Sequence, residues 1–196
     1  MLFRSNARRQ ALLRETIQFL QQAIQRNPKS ALSKVYLANS QIFLADAVQS
    51  SGDRQSAKRL WQQSMLVAEP LLESGQGVVM ELYALACRKL SVVAIEEGDF
   101  HKAAELVAKL EATMPAIAKS TNARAKFSAA QVAASQGLIN ARLIRAGARP
   151  TVDRGKTVEL LRKSAGQWKE ASKGIKPTEV SIALFKEVDK IGRAHV

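Results

Sequence analysis

One short phrase occurs twice in the chain, as Ser-Gly-Asp-Arg-Gln-Ser-Ala at Ser51–Ala57 and as Glu-Gly-Asp-Phe-His-Lys-Ala at Glu97–Ala103. Each copy follows one amphipathic apolar stretch and opens another. The glycine tolerates the positive φ that ends a helix, and the aspartate after it can cap the next one. An alanine five positions beyond each glycine leaves room for two helices to approach closely. The duplicated phrase predicts a helix–turn–helix unit used more than once. Such repeats build binding surfaces rather than reaction centres.

Hydrophobic spacing extends this pattern along the chain. Leu13, Ile17, Leu20 and Ile24 mark one face of a helix over 7–27, which Pro28 stops. Ser30 can cap a second helix over about 31–51, and Asp53 a third, which Pro70 kinks or ends. A fourth helix is expected over 78–97 and a fifth from Asp99 to Pro115, where the proline terminates it. Further helices are expected over 121–146, interrupted by Gly137, over 153–172, and from Pro177 onward. No segment sustains the period-two alternation of a half-buried strand, so the predicted class is all-α. The composition agrees: 46% hydrophobic but only 5% aromatic, a mixture suited to helices packed through small residues. No apolar run approaches the roughly 20 residues of a membrane-spanning helix.

Both ends have an unusual origin in this reading. Met1–Ser5 is what GTG-CTC-TTC-CGA-TCT encodes when GTG serves as the start codon, and Ile191–Val196 is what ATC-GGA-AGA-GCA-CAC-GTC encodes. Both strings resemble common short-read sequencing adapters. Residues 1–5 and 191–196 are therefore expected to be adapter-derived, and 6–190 an internal piece of a longer, metagenomic coding sequence. The stripe from Leu13 to Ile24 is then expected to be partly uncovered. A cytoplasmic location is favoured, with any upstream leader, anchor or catalytic domain outside the sequence.

The formal charge of +13 is unevenly spread. Lys119–Lys176 holds 13 basic residues against three acidic ones, and no acidic residue occurs from Ala112 to Val152. Arg142, Arg145 and Arg149, spaced three and four apart, would line one helical face there. Such a surplus attracts acidic protein, nucleic acid or an anionic surface, although charge runs more often form solvated faces.

The arrangement resembles the tetratricopeptide repeat family, whose paired antiparallel helices stack into a right-handed superhelix. Gly98, Asp99, Phe100, Ala103 and Pro115 match the family's second helix, and Gly52, Asp53, Ala57 and Trp61 match an earlier copy in which Arg54 replaces the usual aromatic. The resemblance covers Thr16–Pro115, assigning 6–115 to repeats and 116–190 to a degenerate repeat with basic helices. The two Gly-Asp pairs lie 46 residues apart, longer than the family unit, and a third unit around Gly137 lacks the aspartate. Within the family the first helix of each pair lines a concave face. By position this implies Asn39, Ile42, Asp46 and Gln49 from one unit, and Leu85, Arg88, Val92 and Glu96 from the next.

Residues that could carry chemistry favour plainer roles. His101 is the only histidine outside the flanks and is expected to face solvent. Cys87, the only cysteine, is expected in the core. Gly75-Gln76-Gly77 lacks the strand before it and the Lys-Ser/Thr after it that a phosphate loop requires. Trp61 and Trp168 fit packing anchors better than base-stacking platforms. No cofactor, metal site or catalytic set is expected. The resemblance implies a non-catalytic scaffold binding protein or peptide within a bacterial signalling or regulatory protein. Two alternatives are nucleic-acid or anionic-surface binding through the basic third, and the tail of a multidomain enzyme such as a protein kinase or of a winged-helix regulator.

Overall fold

A computed structural model describes residues 2–118, 123–147, 153–173, 177 and 179–193. Eight α-helices follow one another: α1 (Leu2–Arg26), α2 (Ala31–Gln49), α3 (Arg54–Ala68), α4 (Gly77–Glu96), α5 (Phe100–Ala118), α6 (Ala123–Arg145), α7 (Arg154–Ala171) and α8 (Glu179–Arg193). A short 3-10 helix, Glu69–Ser74, joins α3 to α4 and starts where Pro70 was expected to break the chain. No strand occurs among the described residues, so the fold is all-α.

The duplicated phrase makes two equivalent turns. Gly52 and Gly98 both adopt positive φ, +91° and +76°. At each, the aspartate that follows reaches back with its N–H to the preceding helix, Asp53 to the Val48 carbonyl and Asp99 to that of Ala94. Each aspartate also caps the next helix: the Ser56 N–H donates to Asp53 Oδ1 at 3.0 Å and the Lys102 N–H to Asp99 Oδ1 at 2.9 Å. The Ser56 bond holds the Asp53 carboxyl below its ordinary range. Ala57 and Ala103, one turn further on, are fully buried.

A positive-φ glycine and a helix-capping aspartate occur in that order a third time, though not at Gly137. Gly147 has φ +74°, and its N–H bonds the Ile144 carbonyl; Asp153 then caps α7 through the Lys156 N–H at 2.8 Å. Residues 148–152 lie between that glycine and aspartate in sequence. Gly137 instead lies inside an unbroken α6. A Cβ there would meet the Leu161 side chain at 2.7 Å, so this glycine admits α7 to close contact.

One other expectation is corrected. Pro115 does not end α5, which continues to Ala118. The ring forfeits only the bond to the Glu111 carbonyl, and less than a turn of helix follows it. The Leu13–Ile24 stripe is partly covered, as expected: α2 packs on it and buries Ile17 and Leu20, while Leu13 and Ile24 remain only partly buried. A different face of α1 is left exposed.

Each helix packs on its neighbours in sequence. In addition α4 touches α2 and α6, and α6 touches α8, so α2, α4, α6 and α8 form one contiguous row. The core divides into two clusters that meet in α6. Val132, Ile139 and Leu143 face the larger cluster, which spans α1 to α6, whereas Ala130, Ala134 and Leu138 face a smaller one built with α7 and α8. In the smaller cluster Trp168 stacks on Phe185 at 4.5 Å between ring centroids. Trp61 is buried in the larger one. Both tryptophans are packing anchors.

Candidate ligand-binding groove

The row of α2, α4, α6 and α8 brings together residues distant in sequence around a cavity of about 270 Å3. Four of the eight expected groove residues line it: Asn39 and Ile42 from α2, Leu85 and Arg88 from α4. Phe43, Val78 and Leu82 add apolar wall from the same two helices, and Leu184 of α8 closes one side.

The floor has polar groups with unused hydrogen-bonding capacity. Gln131 of α6 is only 8% exposed, and its Nε2 has no hydrogen-bond partner among the described residues. Arg88 Nε is likewise buried without one. A buried donor without an acceptor costs free energy, and an entering carbonyl or carboxylate would recover it. Burial lowers the Arg88 pKa from its ordinary value, and the Glu187 carboxylate, 3.6 Å from Nη1, opposes that shift.

The remaining expected residues are placed elsewhere or already engaged. Asp46 pairs with Lys89 at 2.9 Å, and Glu96 with Arg54 at 3.4 Å. Gln49 and Glu96 rim a shallow recess of about 80 Å3 at the opposite end of α2 and α4. Val92 is half-buried one turn beyond Arg88. Of the basic stripe, Arg142 donates to Glu187 at 2.7 Å and is half-buried, Arg145 is exposed, and Arg149 lies outside the described residues. Glu187 thus ties α8 to both α4 and α6. Gln131, Ser135 and Leu184 are groove residues that the sequence did not single out.

Other candidate chemistry is weak. Cys87 is fully buried, its thiol pushed up to about 12 by burial, which leaves no thiolate for nucleophilic work near neutral pH. His101 is solvent-exposed and sits 3.3 Å from Glu105. Among the described residues no group of three or more His, Cys, Asp or Glu side chains could hold a metal ion, and no helix is long and apolar enough to cross a membrane. A larger cleft of about 510 Å3 lies between α5, α6 and α7. At its rim Gln136 donates to Glu111 at 2.7 Å and Asp153 caps α7, while Asn140 Oδ1 is buried without a hydrogen-bond partner among the described residues.

No protein-family model, curated protein or solved structure matches the chain.

Proposed function

We propose that the chain is a non-catalytic, tetratricopeptide-like scaffold that binds an extended or helical segment of another protein along the α2–α4–α6–α8 row. The observation that carries this reading is the groove itself, which has apolar walls and two buried donors, Arg88 Nε and Gln131 Nε2, without partners. Ligand sites in proteins combine mostly apolar linings with a few directed polar groups in the same way. The equivalent turns at Gly52 and Gly98, with fully buried alanines after them, support a stacked-repeat architecture. Binding would be an equilibrium with no covalent step. Nucleic-acid recognition through the basic third is the less favoured reading, because Arg142 is already paired with Glu187.

Selection of a random peptide display library against the protein tests the groove. Enriched peptides are expected to perturb amide resonances at Asn39, Leu85 and Gln131. Leu85→Arg, at a half-buried groove position, is expected to abolish binding while helical circular dichroism is retained. Peptides that bind without perturbing these amides, or that ignore Leu85→Arg, would overturn the reading.

A further inference from the structure

Large apolar side chains are exposed unevenly on this molecule. Of the eight that stand out among the described residues, five lie on α1 and α2: Leu12 (55% exposed), Phe19 (69%), Leu32 (65%), Tyr36 (55%) and Phe43 (37%). Their spacing places them on one face of each helix, with Leu12 and Phe19 seven apart and Leu32, Tyr36 and Phe43 at intervals of four and seven. The two helices run antiparallel, as the bonds from Asn6 to the Ala47 carbonyl and to Ser50 require. Equal steps in opposite directions then set Leu12 beside Phe43 and Phe19 beside Tyr36. A recess of about 480 Å3 lies between α1 and α2 at Leu12 and Phe43, and by this register the exposed Phe19 and Tyr36 continue it as an apolar furrow. Phe43 also lines the groove described above, so the two surfaces are continuous.

The rim of this furrow is basic. Residues 6–45 contain six lysines and arginines against Glu15 alone. Arg8 and Arg9 flank the furrow at one end, with Arg9 6.0 Å from the Phe43 ring centroid, and Arg26 and Lys29 are exposed where α1 turns into α2. An apolar trough edged by positive charge selects its complement, an apolar ridge edged by negative charge. A helix has the convex shape to fill a trough, whereas a bilayer presents a flat face. A second copy meeting face to face would bring two like-charged rims together.

We infer that the α1–α2 furrow docks an acidic amphipathic helix of a partner protein, with its apolar stripe on Leu12, Phe19, Tyr36 and Phe43 and its carboxylates against Arg8, Arg9, Arg26 and Lys29. This deepens the scaffold reading and rests on it, but it assigns the partner's chemistry and extends the contact surface onto α1. Patches of exposed apolar side chains on this scale mark interaction sites. The helix-in-groove mode reads as i, i+3, i+4, i+7 anchors.

The probe is a synthetic helical peptide of about five turns, ~18 residues at 3.6 per turn, with a Leu/Phe stripe and Glu flanks. Its counterpart has Lys in place of every Glu. The acidic peptide is expected to bind with amide perturbations on α1 and α2, and to weaken as salt rises from low to physiological strength. The Lys peptide is expected not to bind. Leu12→Ser with Phe19→Ser should weaken binding about tenfold or more, and both sites are exposed enough to leave folding intact. Arg8→Glu with Arg9→Glu should weaken it mainly at low salt. Perturbations confined to Leu85 and Gln131 would overturn this site while leaving the groove reading intact. Equal binding of both peptides, or failure of the acidic one, would overturn it outright. So would binding of anionic phosphatidylserine vesicles in place of the peptide, or a dimer in sedimentation that Leu12→Ser dissolves.

Discussion

Adding a methyl group at Gly98 and at Gly137 tests two different constraints. Gly98 sits at φ +76° with nothing near the added atom, so the cost of Gly98→Ala is backbone strain alone, roughly 1–2 kcal/mol. Gly98→Asn should recover part of it, because asparagine tolerates that conformation. Gly137 is helical, and alanine there gains about 1 kcal/mol of helix propensity. The gain is opposed by contact with the fully buried Leu161 side chain at 2.7 and 2.9 Å, at roughly 1–3 kcal/mol for overpacking. Gly137→Asn should be worse still. Urea midpoints for the four variants check the ordering, and a Gly137→Asn protein more stable than Gly137→Ala would refute the close approach. Cys87 gives a pH signature. Its thiol is raised from 9.0 to about 12 in the folded protein. Below pH 9 neither state loses the proton. Between 9 and 12 the unfolded chain ionises while the native thiol resists, so stability falls as pH rises through that window. Cys87→Ala is expected to flatten this fall in urea titrations from pH 8 to 11, and an unchanged slope would count against a buried, protonated thiol.

At the scale of elements, the Gly-Asp turns were legible because every interaction that defines them is local. Asp53 and Asp99 cap within three residues, and Ala57 and Ala103 follow at fixed distance. The later glycine and aspartate were not legible as a copy of the phrase, since five residues part Gly147 from Asp153. Pro115 was misleading for a related reason: a proline's cost is one lost hydrogen bond and a steric clash, which burial can outweigh near a helix end. Leu106 and Leu110, both buried, anchor α5 just before it. Pro115→Ala should restore the bond to Glu111 and slow amide exchange over residues 111–118. No change there would mean that the last turn frays regardless. The groove was half legible. Helical position brought Asn39, Ile42, Leu85 and Arg88 to one surface, but Gln131 and Leu184 join it only because α6 and α8 pack alongside. Likewise, three arginines in register suggested a free stripe. Arg142 is engaged by Glu187, 45 residues onward, and no spacing rule reaches that far.

Across the whole molecule the core is unequally divided. The cluster spanning α1 to α6 draws on every helix from α1 to α5, whereas α7 and α8 rely on a handful of buried side chains around Leu161, Leu184, Phe185 and Val188. In stacked helical arrays stability is a sum of local and neighbouring terms, so poorly buttressed ends open first. Hydrogen exchange is expected to be fastest in α7 and α8, intermediate in α6 and slowest in α2 and α4. Uniform exchange across all eight helices would show one cooperative unit instead.

Because α6 shares its two faces between the clusters, it is also where an applied load would stop. Tension drawn through the C-terminal end would peel α8 and then α7 from the Ala130–Leu138 face, each step releasing a short length of chain at low force. The peel would stall at α6, whose other face is held by Val132, Ile139 and Leu143. The molecule would lengthen in a soft stage and resist in a stiff one, so a partner attached at that end could move without dislodging whatever the groove's α2–α4 wall holds.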